Sequence, residues 1–473
     1  MNDIHIEKVR QKYNLISEQI GKWGRKGRYY HKKMKELYRF LIPSCKRILD
    51  LGCGNGSLLN SLNPQYGVGL DISDKTIQIA ERDYPNLSFR VDDCHDMKID
   101  ETFDYIIMSD LIGDLWDVQK VFEQVSAICT DRTKVIISNT NFLWDSILKI
   151  AVQLQLVSPK ISQNWLSGKD VKNLLLLSDL EVIKQGTYLL FPIYIPILSE
   201  FLNRYVARLP LIRRLCLVQY IIARKKPEDI GEQYKVSVIV AARNEAGNIE
   251  QIVSRTPQMG KGTELIFVEG GSKDDTYEVI NKVIDEYKGP LEINCFRQDG
   301  KGKGDAVRKG FANATGDILM ILDADITVPP EELPKFYEAI RSRKGEFING
   351  SRLVYLMEKE AMRFLNVIGN KFFSSAFSWL FDQDIKDTLC GTKVMYKEDY
   401  EALAENRSYF GDFDPFGDFD LLLGSQKLNL KLVEVPIRYG ARTYGSTNIS
   451  RFSHGLLLLR MTFFAAKKLK FFK

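Results

Sequence analysis

The stretch that decides the first fold is RILDLGCGNGS, residues 47–57, in which a short apolar run passes directly into a glycine-rich turn. Glycine lets a backbone turn sharply and approach a ligand closely. Further short apolar runs follow at GVGLDIS, LSFRVDD, FDYIIMSD and KVIISNT, with helical patterns over residues 73–83 and 117–129 between some of them. Short apolar strands that alternate with helices indicate a parallel sheet covered on both faces. We place the last strand of this unit at LVQYIIARK, ending near Lys225.

A second alternation of the same kind begins after a polar segment, residues 226–234. This segment contains Pro, Gly and several charges, as is typical of an interdomain linker. Beyond it, KVSVIVAARNE, TELIFVEGGS, LEINCFRQ and DILMILDAD again end apolar runs in polar residues. We therefore predict an α/β protein with two domains, a Rossmann-like sheet in residues 1–225 and a second sheet in residues 235–473.

Composition indicates a globular protein in a reducing compartment. The 473 residues exceed the length at which single domains usually split, and the 45% apolar and 27% charged fractions are ordinary for globular chains. The net charge of +5 is small, and no stretch interleaves bases with aromatics, so we expect no nucleic-acid partner. The seven cysteines form no CxxC pair, which argues against disulfides or zinc and favours a cytoplasmic location. The N-terminus lacks the apolar core of a secretory signal, and no apolar run is long enough to span a membrane.

Acidic residues stand where the first three strands end, at the edge where open α/β sheets bind ligands. A carboxylate after the second strand can accept both hydroxyls of a ribose, and one after the third suits an adenine edge. The acid before the glycine turn would repel a phosphate, so a cofactor with a cationic amino-acid end fits better than a dinucleotide. The residues that we assign to this cofactor are Asp50, Gly52, Cys53, Gly54, Gly56, Asp71, Ile72, Asp93 and Cys94.

This set resembles the class I S-adenosylmethionine-dependent methyltransferases, over roughly residues 25–225. The family's acid followed by GxGxG is matched by Asp50 and its glycines, and its later acids are matched by Asp71 and Asp93. The resemblance implies S-adenosylmethionine as the cofactor and places Ser109, at the end of the fourth strand, in the methyl-transfer pocket. It also implies in-line attack of an acceptor atom on the sulfonium methyl group, for which the protein supplies mainly proximity and orientation.

Two alternatives stay open for this half. The glycines and acids can be a structural turn with helix caps, or the domain can bind the cofactor without transferring a methyl group. SDLIG follows the fourth strand in place of an NPPY-like signature. This difference disfavours a nucleic-acid base as acceptor and favours a sugar hydroxyl or another small polar group.

Charged residues also follow the strands of the second half. The basic run at residues 301–306 opens a helix, where backbone amides and lysines can meet phosphate. Asp323 and Asp325 end the next strand, and alternate residues point the same way, so both carboxylates can face one hard cation. Such a cation, Mg²⁺ or Mn²⁺, would neutralise a diphosphate leaving group.

In this order and spacing, these features resemble glycosyltransferase family 2, which has the GT-A fold, and particularly its dolichol-phosphate mannose synthase branch. The resemblance covers about residues 235–470 and implies a nucleotide-sugar donor, with a GT-A nucleotide-diphospho-sugar transferase sheet following the methyltransferase sheet. Gly270 departs from the family, which has a second Asp there. Asp323 and Asp325 would hold the metal. The residues that the resemblance assigns to the donor are Ala241, Arg243, Glu245, Glu269, Ser272, Lys303, Asp323 and Arg442.

The resemblance also implies inverting displacement with a carboxylate as base. Asp420 is the first choice and Asp418 the second, because they match the family's Asp-x-Glu element with Asp in place of Glu. If the acceptor is already a phosphate anion, no strong base is needed and both can be structural. Capping of the following helix is the alternative role for either acid.

Two apolar segments lie outside the strand pattern. Residues 187–222 are interrupted by prolines, and residues 453–473 are apolar and then basic. For both, peripheral contact with the inner face of a membrane competes with packing on the domain core. The first segment can also be a helical lid over the acceptor pocket.

We interpret the whole as a bifunctional enzyme of glycan or polysaccharide assembly, acting on a glycan or lipid-linked acceptor. One alternative is a glycosyltransferase whose N-terminal domain only binds S-adenosylmethionine or acts as a scaffold. The other is a membrane-associated binding protein in which neither site is active, which the intact DxD and GxGxG motifs disfavour.

Overall fold

The computed structural model describes residues 2–18, 27–155, 157, 164, 166–229, 231–355, 364–405, 407, 419–440, 442, 444 and 451–471. The chain divides into two compact units, Met1–Lys226 together with Lys470–Lys473, and Pro227–Leu469. Each unit contains one seven-stranded sheet. The prediction of two successive α/β sheets is confirmed.

The first unit alternates strands with helices after two N-terminal helices. Its strands are β1 (Arg47–Leu51), β2 (Tyr66–Asp71), β3 (Ser88–Val91), β4 (Tyr105–Ser109), β5 (Lys134–Thr140), β6 (Leu180–Tyr188) and β7 (Val218–Lys225). Its helices are α1 (Asn2–Glu18), α2 (Arg28–Leu41), α3 (Ser57–Ser61), α4 (Asp74–Asp83), α5 (Val118–Ile128), α6 (Asp145–Gln153), α7 (Gly168–Leu177) and α8 (Leu198–Arg204). Short 3₁₀ turns lie at Phe142–Trp144, Val206–Arg208 and Ile212–Leu215. The predicted helices over residues 73–83 and 117–129 and the predicted last strand are confirmed.

The first sheet has the strand order β3-β2-β1-β4-β5-β7-β6. Strands β1 to β5 are parallel, whereas β7 runs antiparallel to both β5 and β6. The sheet is therefore mixed rather than purely parallel, because the long connection after β6 returns the chain in the opposite direction. Leu49 of β1 belongs to the core on one face and Ile48 to the core on the other, so both faces are covered as expected.

The second unit also carries helices around a mixed sheet. Its strands are β8 (Lys235–Ala242), β9 (Gly262–Glu269), β10 (Glu292–Arg297), β11 (Ile318–Asp323), β12 (Phe347–Ser351), β13 (Lys393–Tyr396) and β14 (Leu432–Pro436). Its helices are α9 (Ile249–Arg255), α10 (Thr276–Glu286), α11 (Lys303–Asn313), α12 (Leu333–Arg341), α13 (Phe364–Phe381), α14 (Lys397–Glu405), α15 (Phe419–Lys427) and α16 (Arg451–Leu469). Shorter 3₁₀ turns lie at Ala246–Asn248 and Pro330–Glu332.

The strand order of the second sheet is β10-β9-β8-β11-β13-β12-β14. Strands β8 to β11 are parallel, and β13 is antiparallel to both β11 and β12. The parallel part brings the carboxyl ends of β8, β9 and β11 to one edge, where charged side chains collect.

The two apolar segments behave differently from simple core elements. Between β6 and β7, Leu189 and Ala207 are buried, but Ile197 and Leu211 project into solvent. In helix α16, Met461 is buried while Phe463 is exposed. Within the described ranges, none of the helices combines the length and the apolar character that a membrane crossing requires.

Candidate functional site

A cavity of about 310 Å³ lies at the carboxyl ends of β1, β2 and β4 in the first unit. In the strand order β3-β2-β1-β4-β5, the connection after β1 leads to one side of the sheet order and the connection after β4 leads to the other, so a crevice opens between these two strands. Gly56 does not line this cavity, and the other predicted cofactor residues do. Those on its wall are Asp50, Gly52, Cys53, Gly54, Asp71, Ile72, Asp93, Cys94 and Ser109.

The glycine turn after β1 uses its glycines in different ways. Gly52, Gly54 and Gly56 all adopt positive φ, with values of 70°, 54° and 72°, which other residues avoid. A β-carbon added at Gly54 would meet nothing within 4 Å, whereas one at Gly56 would lie 2.5 Å from the ring of Phe89. The backbone at Gly54 is thus accessible from the cavity, whereas Gly56 allows the ring of Phe89 to pack closely against the turn.

Asp50 is a buried acid, and neither of its carboxyl oxygens has a hydrogen-bond partner among the residues that the structure describes. Burial, reinforced by the nearby Asp71 carboxylate, raises the pKa of Asp50 to about 8. An unpaired buried carboxyl is costly unless a ligand satisfies it. A cationic ammonium group at this end of the cavity would do so, and the donor set therefore fits the amino-acid end of S-adenosylmethionine.

Asp71, at the end of β2, connects the glycine turn to the start of α4. Its carboxylate accepts hydrogen bonds from the Gly54 amide at 2.9 Å and from the Ser73 amide at 2.9 Å. Burial raises the pKa of Asp71. The acid therefore fixes the backbone that approaches the ligand, in addition to facing the cavity itself.

Asp93, after β3, is held by His95. The Asp93 carboxylate accepts a bond from the His95 amide at 3.0 Å and lies 2.6 Å from its ring Nδ1. Burial opposes ionisation, but these bonds outweigh it and lower the pKa of Asp93. His95 thus orients an acid on the wall of the cavity.

The remaining wall of the cavity comes from helices that the motifs did not single out. Tyr30 donates to Asp110 at 2.5 Å, and Tyr13 donates to Asp114 at 2.5 Å. His31 also lines the cavity, and desolvation lowers its pKa. The sequence missed these residues because the helices α1 and α2 carry no motif. The apolar face of α2, with Met34, Leu37 and Leu41 buried, was the available signal.

In the second unit, two acids and two bases meet at the end of β11. Lys303 Nζ lies 2.5 Å from Asp323, and Arg442 donates to Asp325 at 2.7 Å. Burial opposes ionisation of Asp323, but the adjacent Lys303 ammonium outweighs it and lowers the pKa of the carboxyl. A β-carbon on Gly391 would lie 2.1 Å from Asp323 Oδ2, so only glycine allows this close approach.

Arg442 joins this group to the end of β8. Its second amino group lies 3.4 Å from Glu245, which is buried and also accepts a bond from Asn248 at 2.8 Å. Burial raises the pKa of Glu245, while the Arg442 charge opposes that effect. Ala241 stands opposite Asp323 in the pairing of β8 with β11. The predicted donor residues Ala241, Glu245, Asp323 and Arg442 thus share one edge.

The turn after β9 is built around Glu269. Its carboxylate accepts the Ser272 amide at 2.5 Å, and the Ser272 hydroxyl accepts the Asn244 amide at 3.0 Å. Arg243 is exposed beside this turn. At Gly270, a β-carbon would lie 2.9 Å from Gln298 Oε1, so a side chain there would require Gln298 to move.

Asp420 is buried in the first turn of α15, where it lies 3.3 Å from Arg407 Nε and 4.0 Å from Arg308. Asp418 lies outside the described residues. Across the part of the chain that the structure describes, three or more His, Cys, Asp or Glu residues never gather around a common metal position. The carboxylates of Asp323 and Asp325 would fill only part of the oxygen shell of an Mg²⁺ ion, and a diphosphate and water would have to complete it.

Comparison with known proteins identifies both units. Residues 43–175 match the family model for a methyltransferase domain, and residues 237–402 match the model for glycosyl transferase family 2. The chain therefore contains a methyltransferase domain followed by a family 2 glycosyltransferase domain, and both resemblances drawn from the motifs are confirmed.

Individual relatives match parts of the chain. A dolichol-phosphate mannosyltransferase of Pyrococcus furiosus is 31% identical over 221 residues, which cover 46% of this chain and 59% of the relative. An undecaprenyl-phosphate 4-deoxy-4-formamido-L-arabinose transferase of an Enterobacter species is 31% identical over 106 residues, covering 22% and 32%. This chain thus spans less than two thirds of these curated relatives. An S-adenosylmethionine-dependent methyltransferase structure from Mesorhizobium loti matches with 18% identity and a TM-score of 0.31, covering 40% of this chain and 96% of that one.

Proposed function

We propose that the chain is a bifunctional enzyme of glycan or polysaccharide assembly. Residues 235–473 transfer a sugar from a nucleotide-sugar donor to a glycan or lipid-linked acceptor, and residues 1–225 transfer a methyl group from S-adenosylmethionine, with residues 226–234 as the linker. The names of both curated relatives specify a polyprenyl phosphate, which supports a lipid-linked acceptor. A peripheral location at the cytoplasmic face of the membrane follows from such an acceptor.

The observation that carries the glycosyltransferase proposal is the group of two acids and two bases at the end of β11. Asp323 is paired with Lys303, and Asp325 with Arg442. A metal-bound diphosphate offers the complementary charges, because its cation can take the carboxylates while its phosphates take the two bases. In this proposal Mg²⁺ or Mn²⁺ stabilises the leaving diphosphate when it is bound, and Arg442 holds a phosphate bidentately.

Hydrolysis of nucleotide sugars tests this site. A thermal-shift screen of nucleotide sugars first selects the donor that raises the melting temperature. Hydrolysis of that donor should require a divalent cation and be lost in Asp325→Ala. Glu292→Ala, which changes an exposed acid at the amino end of β10, should retain it. Hydrolysis that survives both chelation and Asp325→Ala would refute the metal role.

The base for the acceptor hydroxyl is proposed to be Asp420, with Asp418 as second choice. Asp420 lies 3.3 Å from Arg407 and is buried in the first turn of α15, so its carboxylate is held in one position. If the acceptor is already a phosphate anion, no base is needed, and the ion pair of Asp420 with Arg407 has only a structural role. The pH dependence of transfer separates the two, since only a hydroxyl acceptor needs a base that titrates.

The methyltransferase proposal depends on two observations. The Asp50 carboxyl has no hydrogen-bond partner within the described residues, and Asp71 accepts a hydrogen bond from the Gly54 amide of the glycine turn. Calorimetric titration with S-adenosylmethionine should show binding that Asp71→Ala weakens. Asp74→Ala is the matched control, because Asp74 lies at the start of α4 and does not line the cavity. Absence of binding by the unaltered protein would overturn the cofactor assignment.

A glycosyltransferase with a purely cofactor-binding or scaffolding N-terminal domain is the second candidate. Methyl transfer is supported by Tyr30, His31 and Asp110, which also line the cavity and add polar groups to the predicted cofactor residues. Methylation of glycan or lipid-carrier acceptors by the unaltered protein, lost in Asp71→Ala, would decide between the two.

A further inference from the structure

The connection between β6 and β7 presents large apolar side chains to solvent. Ile197 is 86% exposed and Leu211 is 80% exposed, and Ile193, Tyr194 and Phe201 also project outward. Soluble proteins expose such side chains singly, whereas contiguous patches mark interaction sites. The connection therefore differs from an ordinary surface loop.

Helix α6 extends the same patch. Trp144 donates its indole N–H to the Leu215 carbonyl at 2.8 Å, and Asn141 donates to the Arg214 carbonyl at 3.0 Å, so the start of α6 adjoins the end of the connection. Both elements expose apolar side chains. We call this the apolar surface, and its members are Phe142, Leu143, Ile147, Ile150, Leu154, Ile193, Tyr194, Ile195, Ile197, Leu198, Phe201, Leu209, Leu211 and Leu215.

Buried polar side chains hold the connection in this shape. Ser199 is fully buried, accepts the Ile195 amide at 2.6 Å and donates to the Ile193 carbonyl at 2.8 Å. Asn203 accepts the Phe191 amide at 2.8 Å and donates to the Phe191 carbonyl at 2.7 Å. The outward apolar side chains are thus displayed by a hydrogen-bonded framework.

The backbone at Ile197, one of the exposed apolar residues, is strained. Its φ is 65° and its ψ is −52°, a positive-φ γ-turn conformation that β-branched residues avoid. Strain of this kind persists where the surrounding structure enforces it, and it concentrates at functional segments. Here the strain holds a nearly fully exposed isoleucine just before α8.

The charges around the apolar surface are mainly positive. Residues 189–217 contain four arginines and one glutamate; Arg208 is buried, whereas Arg204 and Arg213 are half-buried and Arg214 is exposed. The glutamate, Glu200, is paired with Lys33 at 2.9 Å. Arg214 is exposed between Leu211 and Leu215. Apolar side chains beside cationic ones match the interface of a bilayer that contains anionic lipids, where each nearby basic residue adds binding energy.

We propose that the apolar surface docks the methyltransferase unit on the surface of an anionic lipid bilayer. The short helices lie along the interface, their apolar side chains enter the acyl boundary, and Arg213 and Arg214 meet the headgroups. The biological purpose rests on the proposed lipid-linked acceptor, because docking would keep the enzyme where that acceptor is located. The docking itself depends only on the surface.

Flotation of the full-length protein with vesicles tests the proposal. Vesicles of phosphatidylcholine and phosphatidylserine should carry the protein, and the double variant Ile197→Ser/Leu211→Ser should reduce the bound-to-free ratio by about tenfold or more. Arg213→Ser/Arg214→Ser should weaken binding to these vesicles and reduce its sensitivity to salt, while leaving any weak binding to pure phosphatidylcholine unchanged.

The matched control is Leu176→Ser/Leu177→Ser in α7 of the same unit, whose side chains are 60% and 56% exposed. It should float like the unaltered protein. Equal flotation of the Ile197/Leu211 variant and this control would overturn the proposal. So would a concentration-dependent dimer, abolished by the Ile197/Leu211 variant and accompanied by no flotation, since the surface would then bind a second copy. Circular dichroism confirms that each variant is folded.

Donor binding, measured by thermal shift without vesicles, keeps this test separate from the proposed function. Loss of flotation with donor binding intact identifies a docking defect. Flotation without binding of any nucleotide sugar would instead refute the glycosyltransferase proposal and leave the docking surface in place.

Discussion

Replacing Asp50 by Asn should abolish the release of a proton that accompanies the binding of S-adenosylmethionine. With a pKa of about 8, the Asp50 carboxyl holds its proton at pH 7 in the ligand-free protein. A bound ammonium group favours the ionised carboxylate and lowers that pKa. Binding at pH 7 should therefore release about 0.9 of a proton, the fraction of Asp50 that is protonated beforehand. Asn carries no such proton, so the variant should release none.

The same reasoning fixes the pH dependence of affinity. If the ligand binds only the ionised form, the apparent Kd should fall about ninefold between pH 6 and pH 7, equivalent to ~1.3 kcal/mol. The ligand's own α-amino group, with an ordinary pKa near ~7.7–8.0, stays largely charged over this range. Asp50→Asn should bind more weakly at pH 7 and show no comparable slope.

Calorimetry in two buffers of different ionisation enthalpy measures the released proton directly. The ligand-free proteins provide a second readout, because a carboxyl whose pKa is raised on folding makes the folded state bind more protons than the unfolded state. Stability should therefore decrease as pH rises from about 4 to 8 in the unaltered protein, and this contribution should vanish in Asp50→Asn. No proton release by the unaltered protein, or the same release by the variant, would refute an ammonium contact at Asp50.

Two further changes test the second unit. Gly391→Ala should lower donor hydrolysis by about tenfold or more, because its β-carbon would displace the Asp323 carboxylate. Gly369→Ala is the control, because the added carbon would have nothing within 4 Å. Equal hydrolysis rates for the two variants would contradict the positioning role of Gly391. Arg352→Met should destabilise the protein by about 3–5 kcal/mol in urea unfolding, since it strands buried Asp387, which Arg352 now contacts at 2.7 and 2.8 Å. The more exposed bidentate pair of Arg255 with Glu331 provides the comparison, and Arg255→Met should cost about 1 kcal/mol or less. Similar losses from both variants would show that burial does not govern the Arg352 pair.

The sequence was most informative where a backbone requirement and a chemical requirement coincide. Glycines followed by an acid at the end of the next strand predicted the wall of the first cavity, because parallel strands bring their carboxyl ends together. Gly56 was the exception. Its spacing matches the motif, yet its role is to pack against Phe89, and local spacing alone does not distinguish a glycine that opens space from one that fills it.

The contacts that span long sequence distances were beyond sequence reasoning. Tyr30 meets Asp110, and Tyr13 meets Asp114, only because α1 and α2 lie beside the end of β4. The antiparallel position of β7 was likewise hidden, since an apolar strand has the same pattern in either direction. The exposed side chains between β6 and β7 could not be separated from core residues by composition, because exposure depends on the buried Ser199 and Asn203 framework.

The two candidate sites differ in how their acids are satisfied, and this difference indicates what each accepts. Within the described part of the chain, the Asp50 carboxyl has no hydrogen-bond partner, so the first cavity gains most from a ligand that brings a positive charge. Asp323 and Asp325 already have cationic partners in Lys303 and Arg442, so a lone cation must displace a base and a lone anion must displace an acid. A ligand that carries both a metal and a diphosphate avoids both penalties, because each displaced group finds a new partner of opposite charge. Metal and nucleotide should therefore bind the second site cooperatively, whereas the first site requires only its cofactor.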